Sequence, residues 1–312
     1  MTVPLRLTAA PGKLGAYARL AKLDVWDYYL ALPLAWSLAG FTPAALGLLA
    51  IFGPGTVSVV AGAVAFDDVT GYRDGSDAAN YGPDSPARRL ARKPLLTGEL
   101  AEAEAVRFGW LATVAGALLW ALAVLVAGAP LWTVLLAAVC LAAAVQYSWG
   151  LKISYRGWQE VFLAGFGAGL VLVGLGLGTG GMSGFALVQA VLFGLGPLLF
   201  GVYSNTRDIE GDAAVGRPTA AVLLSARANR LFIAGLSVAE AGLITSAAGL
   251  GAAPWWFALA LSPTMLLRLA QLRRGVGLGD LLGARLLGLR AHRVTTASLV
   301  AVNLIIVLGA GS

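Results

Sequence analysis

Charge is scarce in this sequence, and so are the residues that most often carry chemistry in soluble enzymes. Only 12% of the 312 residues are Asp, Glu, Lys or Arg, against 58% hydrophobic residues, and there is one cysteine and one histidine. A single cysteine, Cys140, excludes an intrachain disulfide and any cysteine-based metal centre. The single histidine, His292, has no sequence partner that would make it a general base, and it is expected in an interfacial loop. The first 22 residues lack the basic-then-apolar pattern and cleavage site of a signal peptide, so the first apolar run is expected to persist in the mature protein. No basic stripe interleaved with aromatics is present, which removes nucleic acid as an expected partner.

What the sequence has instead is long apolar runs. Spanning a hydrocarbon core takes about 20 apolar residues in a helix. Nine runs approach that length, near residues 25–41, 44–66, 108–127, 131–145, 161–177, 185–203, 231–250, 255–267 and 294–309. The first, fourth, eighth and ninth are short. The reading is an all-α integral membrane protein, with nine transmembrane helices around a central cavity and Asp-rich cytoplasmic loops after helices 2 and 6. It forms one domain over residues 1–312: an N-terminal cytoplasmic arm (1–22), a first four-helix half (23–150), a second (151–270), and a loop with the ninth helix (271–312).

Charge placement supports the count independently. With nine spans, all 22 Lys and Arg residues fall on the side of the N-terminus or at its margins, and the opposite connections carry no ionisable side chain. Basic residues collect in cytoplasmic loops. The expected location is therefore the cell membrane, multi-pass, with the N-terminus and acidic stretches cytoplasmic and the C-terminus outside. An outer face without charge also argues against a transporter, which needs a polar outer mouth.

Two acidic stretches organise the chain: Asp67 to Asp77, and Asn205 to Asp212. Together they hold seven of its 16 acidic residues, each at the end of an apolar run. Carboxylates beside hydrocarbon are costly unless paired or metal-bound, so such clusters mark a polar site. A helix running into the cytoplasm ends where its dipole disfavours negative charge, which weakens a reading of Asp67 and Asp68 as mere solvated helix ends. Asn205, Asp208 and Asp212 are spaced i, i+3, i+7 and share a helical face, as do Asp67 and Asp74, with Asp77 about one turn beyond. Oxygen ligands in such rows suit Mg²⁺, which binds through carboxylates and substrate phosphates. The basic residues nearby, Arg88, Arg89, Arg92, Lys93, Lys152, Arg156 and Arg207, would hold a diphosphate. A lipid tail would then lie between the helices. Glu240 and Gln189 fall inside spans, and Glu240 is expected to be functional or paired.

At these residues the sequence resembles the UbiA superfamily of intramembrane prenyltransferases, nearest the branch that prenylates 1,4-dihydroxy-2-naphthoate in menaquinone synthesis. Asp68 and Gly75-Ser76-Asp77, followed by Gly82-Pro83, match the first Asp-rich motif of that branch. Asn205, Arg207-Asp208 and Asp212 match the second, followed by Gly216-Arg217-Pro218-Thr219. Tyr155-Arg156-Gly157 and the segment Lys93 to Gly98 match two further motifs. Two positions depart from the pattern: Asp67 stands where the family has Asn, and Gly71 where it has Asp, with Asp74 in the usual Lys position. The missing carboxylate has either moved from 71 to 74 or the site is rearranged. The resemblance implies Mg²⁺-assisted ionisation of a prenyl diphosphate and transfer to an aromatic acceptor, or, without an acceptor, a terpene cyclase. It implies Asp68 and Asp208 as catalytic residues and Asp67, Asp68, Asp74, Asp77, Asn205, Asp208 and Asp212 as metal ligands. Lys93, Lys152, Arg156 and Arg207 would bind diphosphate, and Tyr147, Trp149 and Tyr203 would offer aromatic faces to a cation.

Overall fold

The computed structural model describes residues 12–23, 26–81 and 90–310, which among them form helices and connecting turns without a strand. Gly82-Pro83, Arg88 and Arg89 lie outside the described residues. The helices run in order as α1 (Lys13–Leu20), α2 (Ala31–Leu38), α3 (Pro43–Arg73), α4 (Ser76–Asn80), α5 (Glu102–Ala127), α6 (Leu131–Gln146) and α7 (Gln159–Thr179). There follow α8 (Gly184–Arg207), α9 (Ile209–Ala214), α10 (Ala220–Leu223), α11 (Ala226–Gly249), α12 (Phe257–Ala260), α13 (Ser262–Leu272) and α14 (Leu281–Ala310).

Six of these (α3, α5, α7, α8, α11 and α14) are long and apolar enough to cross a membrane. The three other expected spans are shorter. The fourth is the 16-residue α6. The first divides into a 3₁₀ turn, Asp27–Leu30, and the eight-residue α2. The eighth breaks at Leu261, before Ser262-Pro263, into α12 and α13; a proline at the second helical position starts a helix but cannot continue one. The last expected loop, 268–293, is largely helical: α13 ends in a π turn, Arg273–Gly277, and α14 begins at Leu281. His292 is therefore a fully buried residue of α14 against the Phe193 ring, not a loop residue. The apolar-run criterion missed this because Arg285, Arg290 and Arg293 interrupt the run without interrupting the helix.

Close backbone approach sets the packing. On α3, a side chain at Gly55 would strike Trp120, and one at Gly62 would strike Thr113 and the Gly109 carbonyl of α5. α7 and α8 cross at Gly167 and Gly194, where an added Cβ at 194 would stand 2.1 Å from the Ala164 carbonyl. Without an aqueous hydrophobic drive between helices, small residues at crossings gain the contact that holds the bundle. α2 lies against α7 and α14, so the last helix returns to the first. Two buried polar pairs brace the bundle interior. Glu240 receives a bidentate pair from Arg268, Nε to Oε2 at 2.7 Å and Nη2 to Oε1 at 3.1 Å. Gln189 and Asn303 exchange hydrogen bonds of 2.8 and 2.9 Å.

Candidate active site

Successive long helices alternate in direction, which brings one set of ends to a single rim: the ends of α3, α6 and α8 and the starts of α5, α7 and α11. Both acidic stretches lie there. Asp67 and Asp68 sit in the last turns of α3 rather than in a loop, Asp74 is the residue that ends it, and Asp77 opens α4. Asn205 is in the last turn of α8, Asp208 is the elbow between α8 and α9, and Asp212 is in α9. Asp67 and Asp74, seven residues apart on one face, both turn toward the connection between α6 and α7. The stretches meet where Gly211 packs on Asn80, with 2.3 Å from an ideal Cβ to the Asn80 Oδ1.

Two charge clusters result. In the first, Asp68, only 1% exposed, accepts from Lys22 and Lys93 through Oδ1, each at 2.8 Å. Lys93 Nζ also donates to both oxygens of Asp77, at 2.7 and 2.8 Å. Burial opposes the Lys93 charge, but the facing carboxylates of Asp68, Asp77 and Asp67 outweigh it and hold the ammonium firmly protonated. Burial and the neighbouring Asp68 and Asp67 charges push Asp77 up despite Lys93. Asp68 Oδ2 is buried and has no hydrogen-bond partner. Lys22 reaches the site from a left-handed backbone, φ 48°, a conformation uncommon outside glycine.

In the second cluster Arg217 Nη2 donates to Asp67 Oδ1 at 3.0 Å, and Ser148 Oγ donates to the same oxygen at 2.6 Å. The guanidinium lies over the Tyr155 ring, 4.6 Å to the centroid, and the Tyr155 hydroxyl donates to Asp74. Asp212 is 4.0 Å from Arg217. Burial is the main influence on Asp212, whose carboxyl is pushed up to about 6 although Arg217 pulls the other way. Asn205 is held between Gln159, which donates to it at 2.9 Å, and Glu160, which accepts from it at 3.1 Å.

The residues singled out from sequence thus divide. Asp67, Asp68, Asp74, Asp77, Lys93, Asn205 and Asp212 are engaged in the two clusters or beside them. Arg207 is exposed and pairs with its neighbour Asp208 at 3.1 Å. Lys152 and Arg156 are exposed, on the short turn that carries Tyr155. Of the aromatic faces, Tyr147 lies tilted against Phe162, Trp149 lies against Phe66 beneath Arg73, and Tyr203 belongs to a separate cluster. Lys22, Ser148, Glu160 and Arg217 were not singled out as site residues. Arg217 had a signal, its place in the Gly-Arg-Pro-Thr motif; Lys22 had none, because a lysine before the first span reads equally as a topology marker. Arg285 of α14 also falls within electrostatic range of Arg207, Arg92 and Asp208.

Among the described residues no three acidic side chains converge as a ready-made metal cluster. Asp67, Asp68, Asp77, Asp208 and Asp212 each face a lysine or arginine, and Asp74 is held by the Tyr155 hydroxyl and the Ser76 backbone. The donor set nevertheless fits a hard cation: all oxygen, mostly carboxylate, with Asp68 and Asp77 both within hydrogen-bond reach of one nitrogen and an unsatisfied buried oxygen on Asp68.

A helical bundle with six membrane-length helices and a paired acid and base centre at one rim defines a class of membrane protein with its charged groups gathered at one end of the bundle. The chain belongs to the UbiA prenyltransferase family, whose model matches residues 29–277. Among solved structures, a UbiA homologue from Aeropyrum pernix is similar with a TM-score of 0.68 at 15% identity, over 90% of this chain and 98% of that one. Digeranylgeranylglyceryl phosphate synthase is similar at 0.66 and 15%, over 93% and 98%. A UbiA homologue from Archaeoglobus fulgidus bound to DMAPP and Mg²⁺ is similar at 0.65 and 16%, over 91% and 99%. No curated protein sequence matches the chain.

Proposed function

We propose that this protein transfers a prenyl group from a prenyl diphosphate to a small aromatic acceptor, with Mg²⁺ as cofactor, at the cytoplasmic rim of a nine-span bundle. The observation that carries the reading is the buried Asp68. It lies between two lysines with one oxygen unsatisfied, at the rim that both acidic stretches share. Asp68, Asp77, Asn205 and Asp212, with Asp67 and Asp208 at the margin, would hold Mg²⁺, and the bound metal would neutralise charge developing on the leaving diphosphate. Lys93, Lys22 and Arg217 bind diphosphate oxygens by charge-assisted contacts. Ser148, Tyr155 and Asp74 fix the orientation of Asp67 and Arg217. The apolar bundle beneath excludes water, which keeps an allylic cation from premature hydrolysis. Tyr147, tilted against Phe162 near Asp67, offers a ring face beneath the charged rim. An aromatic acceptor of the naphthoate type is supported by the resemblance of Tyr155-Arg156-Gly157 to the motif of that branch.

The test is diphosphate release from geranyl, farnesyl and longer prenyl diphosphates in Mg²⁺, with and without 1,4-dihydroxy-2-naphthoate and related aromatic acceptors. Release that requires an acceptor and yields a prenylated aromatic is the expected result. Release without an acceptor, giving a hydrocarbon or terpene alcohol, would make the protein a cyclase instead.

A pH dependence follows from Asp212. Its carboxyl is pushed up to about 6, so it is neutral below that pH, and a metal ligand must be ionised to bind. The Mg²⁺ concentration for half-maximal turnover is expected to rise about tenfold between about pH 7 and about pH 5. Asp212→Asn should raise that concentration at neutral pH and flatten the profile. An unchanged Mg²⁺ requirement across this range would remove Asp212 from the ligand set.

A further inference from the structure

A cavity lies behind the α8–α9 elbow, on the face turned away from Asn205, Asp208 and Asp212. It has a volume of about 500 Å³, and its lining includes Tyr203, Thr206, Asn229, Arg230, Val276 and Leu281. Most of the wall is apolar, and the polar groups are graded. Deep inside, Tyr203 is 1% exposed with a hydroxyl that has no hydrogen-bond partner. Midway, Asn229 donates to Thr206 at 2.9 Å. Arg230 and the nearby Arg227, in the first two turns of α11, are both exposed. Leucines are exposed beside them: Leu223 at 67%, Leu224 at 37% and Leu278 at 73%. Exposed leucines next to exposed arginines place this mouth at the level where hydrocarbon gives way to headgroups.

We propose that this cavity is a binding site for one anionic phospholipid of the surrounding leaflet, separate from the prenyl diphosphate site. Charge complementarity selects the occupant. The mouth offers cationic side chains and the amino-terminal end of the 24-residue α11, which also favours an anion, so a phosphate belongs there. The apolar wall, with Val222, Ile233, Val276 and Leu281, takes the start of an acyl chain. An ester carbonyl is the acceptor that the Tyr203 hydroxyl lacks. Gly275 permits the arrangement: an added Cβ there would lie 2.1 Å from the Tyr203 ring, so the π turn can close the cavity only with glycine at that position. Because Thr206 and Ile209 form part of the lining, the bound lipid would brace the elbow that presents Asp208.

The test is native mass spectrometry of the full-length protein released from nanodiscs holding phosphatidylcholine with a minor fraction of phosphatidylglycerol, scoring retained lipid. The expected result is preferential retention of one phosphatidylglycerol. Arg230→Gln should weaken its affinity about fivefold through the lost surface charge. Tyr203→Phe should weaken it about fivefold through the lost hydrogen bond. Arg107→Gln, an exposed arginine of α5, should leave it unchanged. Equal retention of the two lipids by the unmodified protein, or an equal loss in all three variants, would overturn the site. Retention that survives both Arg230→Gln and Tyr203→Phe would do the same.

Discussion

Asp68→Asn is expected to lower prenyl diphosphate turnover by about a hundredfold to a thousandfold, the scale on which removing one preorganised electrostatic group acts. The substitution keeps the shape of the side chain and removes its charge. Asp68 is almost wholly buried, its Oδ1 shared by Lys22 and Lys93 and its Oδ2 unpartnered. In the variant the two ammonium groups lose their common counter-charge, and the site loses the carboxylate most shielded from water. Lys93 retains Asp77 at 2.7 Å, so the segment that carries it stays docked.

A buried pair broken on one side also costs stability, about 3–5 kcal/mol, and that must be separated from catalysis. Glu240→Gln supplies the comparison. Glu240 is as buried as Asp68 and is bonded bidentately to Arg268, in a cluster distinct from the charged rim. It should lower thermal stability comparably while leaving turnover per folded molecule within about twofold. Turnover by Asp68→Asn within about tenfold of the unmodified protein, measured on folded material, would remove this residue from the diphosphate and metal chemistry.

How much was legible without coordinates depends on the kind of signal. Apolar length and the one-sided placement of basic residues carried the helical membrane architecture, because the bilayer imposes both on the chain. The same criterion was blind to structure that does not depend on length. It extended the second span only to Phe66, although α3 continues through the aspartates to Arg73, and it counted Leu261 as apolar where the helix breaks. Acidic residues at helical spacing marked the two stretches that the fold brings to one rim, since few arrangements of carboxylates survive next to lipid. Their partners were less visible. Arg217 reaches Asp67 across 150 positions of sequence, and Lys22 reaches Asp68 from the arm before the first span. Topology alone asks for basic residues on this face, so no local pattern separated those that enter the site from those, like Arg156, that stay exposed. Glu240 was legible as an acid needing a partner, but only the fold could name Arg268.

Gly71→Asp, which would restore the usual motif of the family, is expected to damage the site, and adding Asp74→Ala should not repair it. An ideal Cβ at residue 71 would lie 2.8 Å from the Asp77 carboxyl carbon and 3.0 and 3.1 Å from its oxygens. Asp77 occupies this space because Lys93 binds both of its oxygens, so a side chain at 71 must push it off the ammonium. An aspartate there adds like-charge repulsion to the steric conflict. Nor has the carboxylate simply moved to 74. Asp74 accepts from the Tyr155 hydroxyl and from the Ser76 backbone at 3.0 Å, which fixes the turn into α4 and the ring under Arg217. It lies in the second cluster, whereas a side chain at 71 would enter the first. Gly71→Asp should therefore cost at least about a hundredfold in turnover, and Gly71→Ala about tenfold from crowding alone. Asp74→Ala, by releasing Tyr155, should make the double variant worse than Gly71→Asp alone. Near-normal turnover by the double variant would instead mean that positions 71 and 74 are interchangeable carriers of one carboxylate. The contacts of Gly71 with Asp77 and of Asp74 with Tyr155 argue for the other outcome, a site rebuilt around Asp77, in which glycine at 71 is a requirement of the geometry.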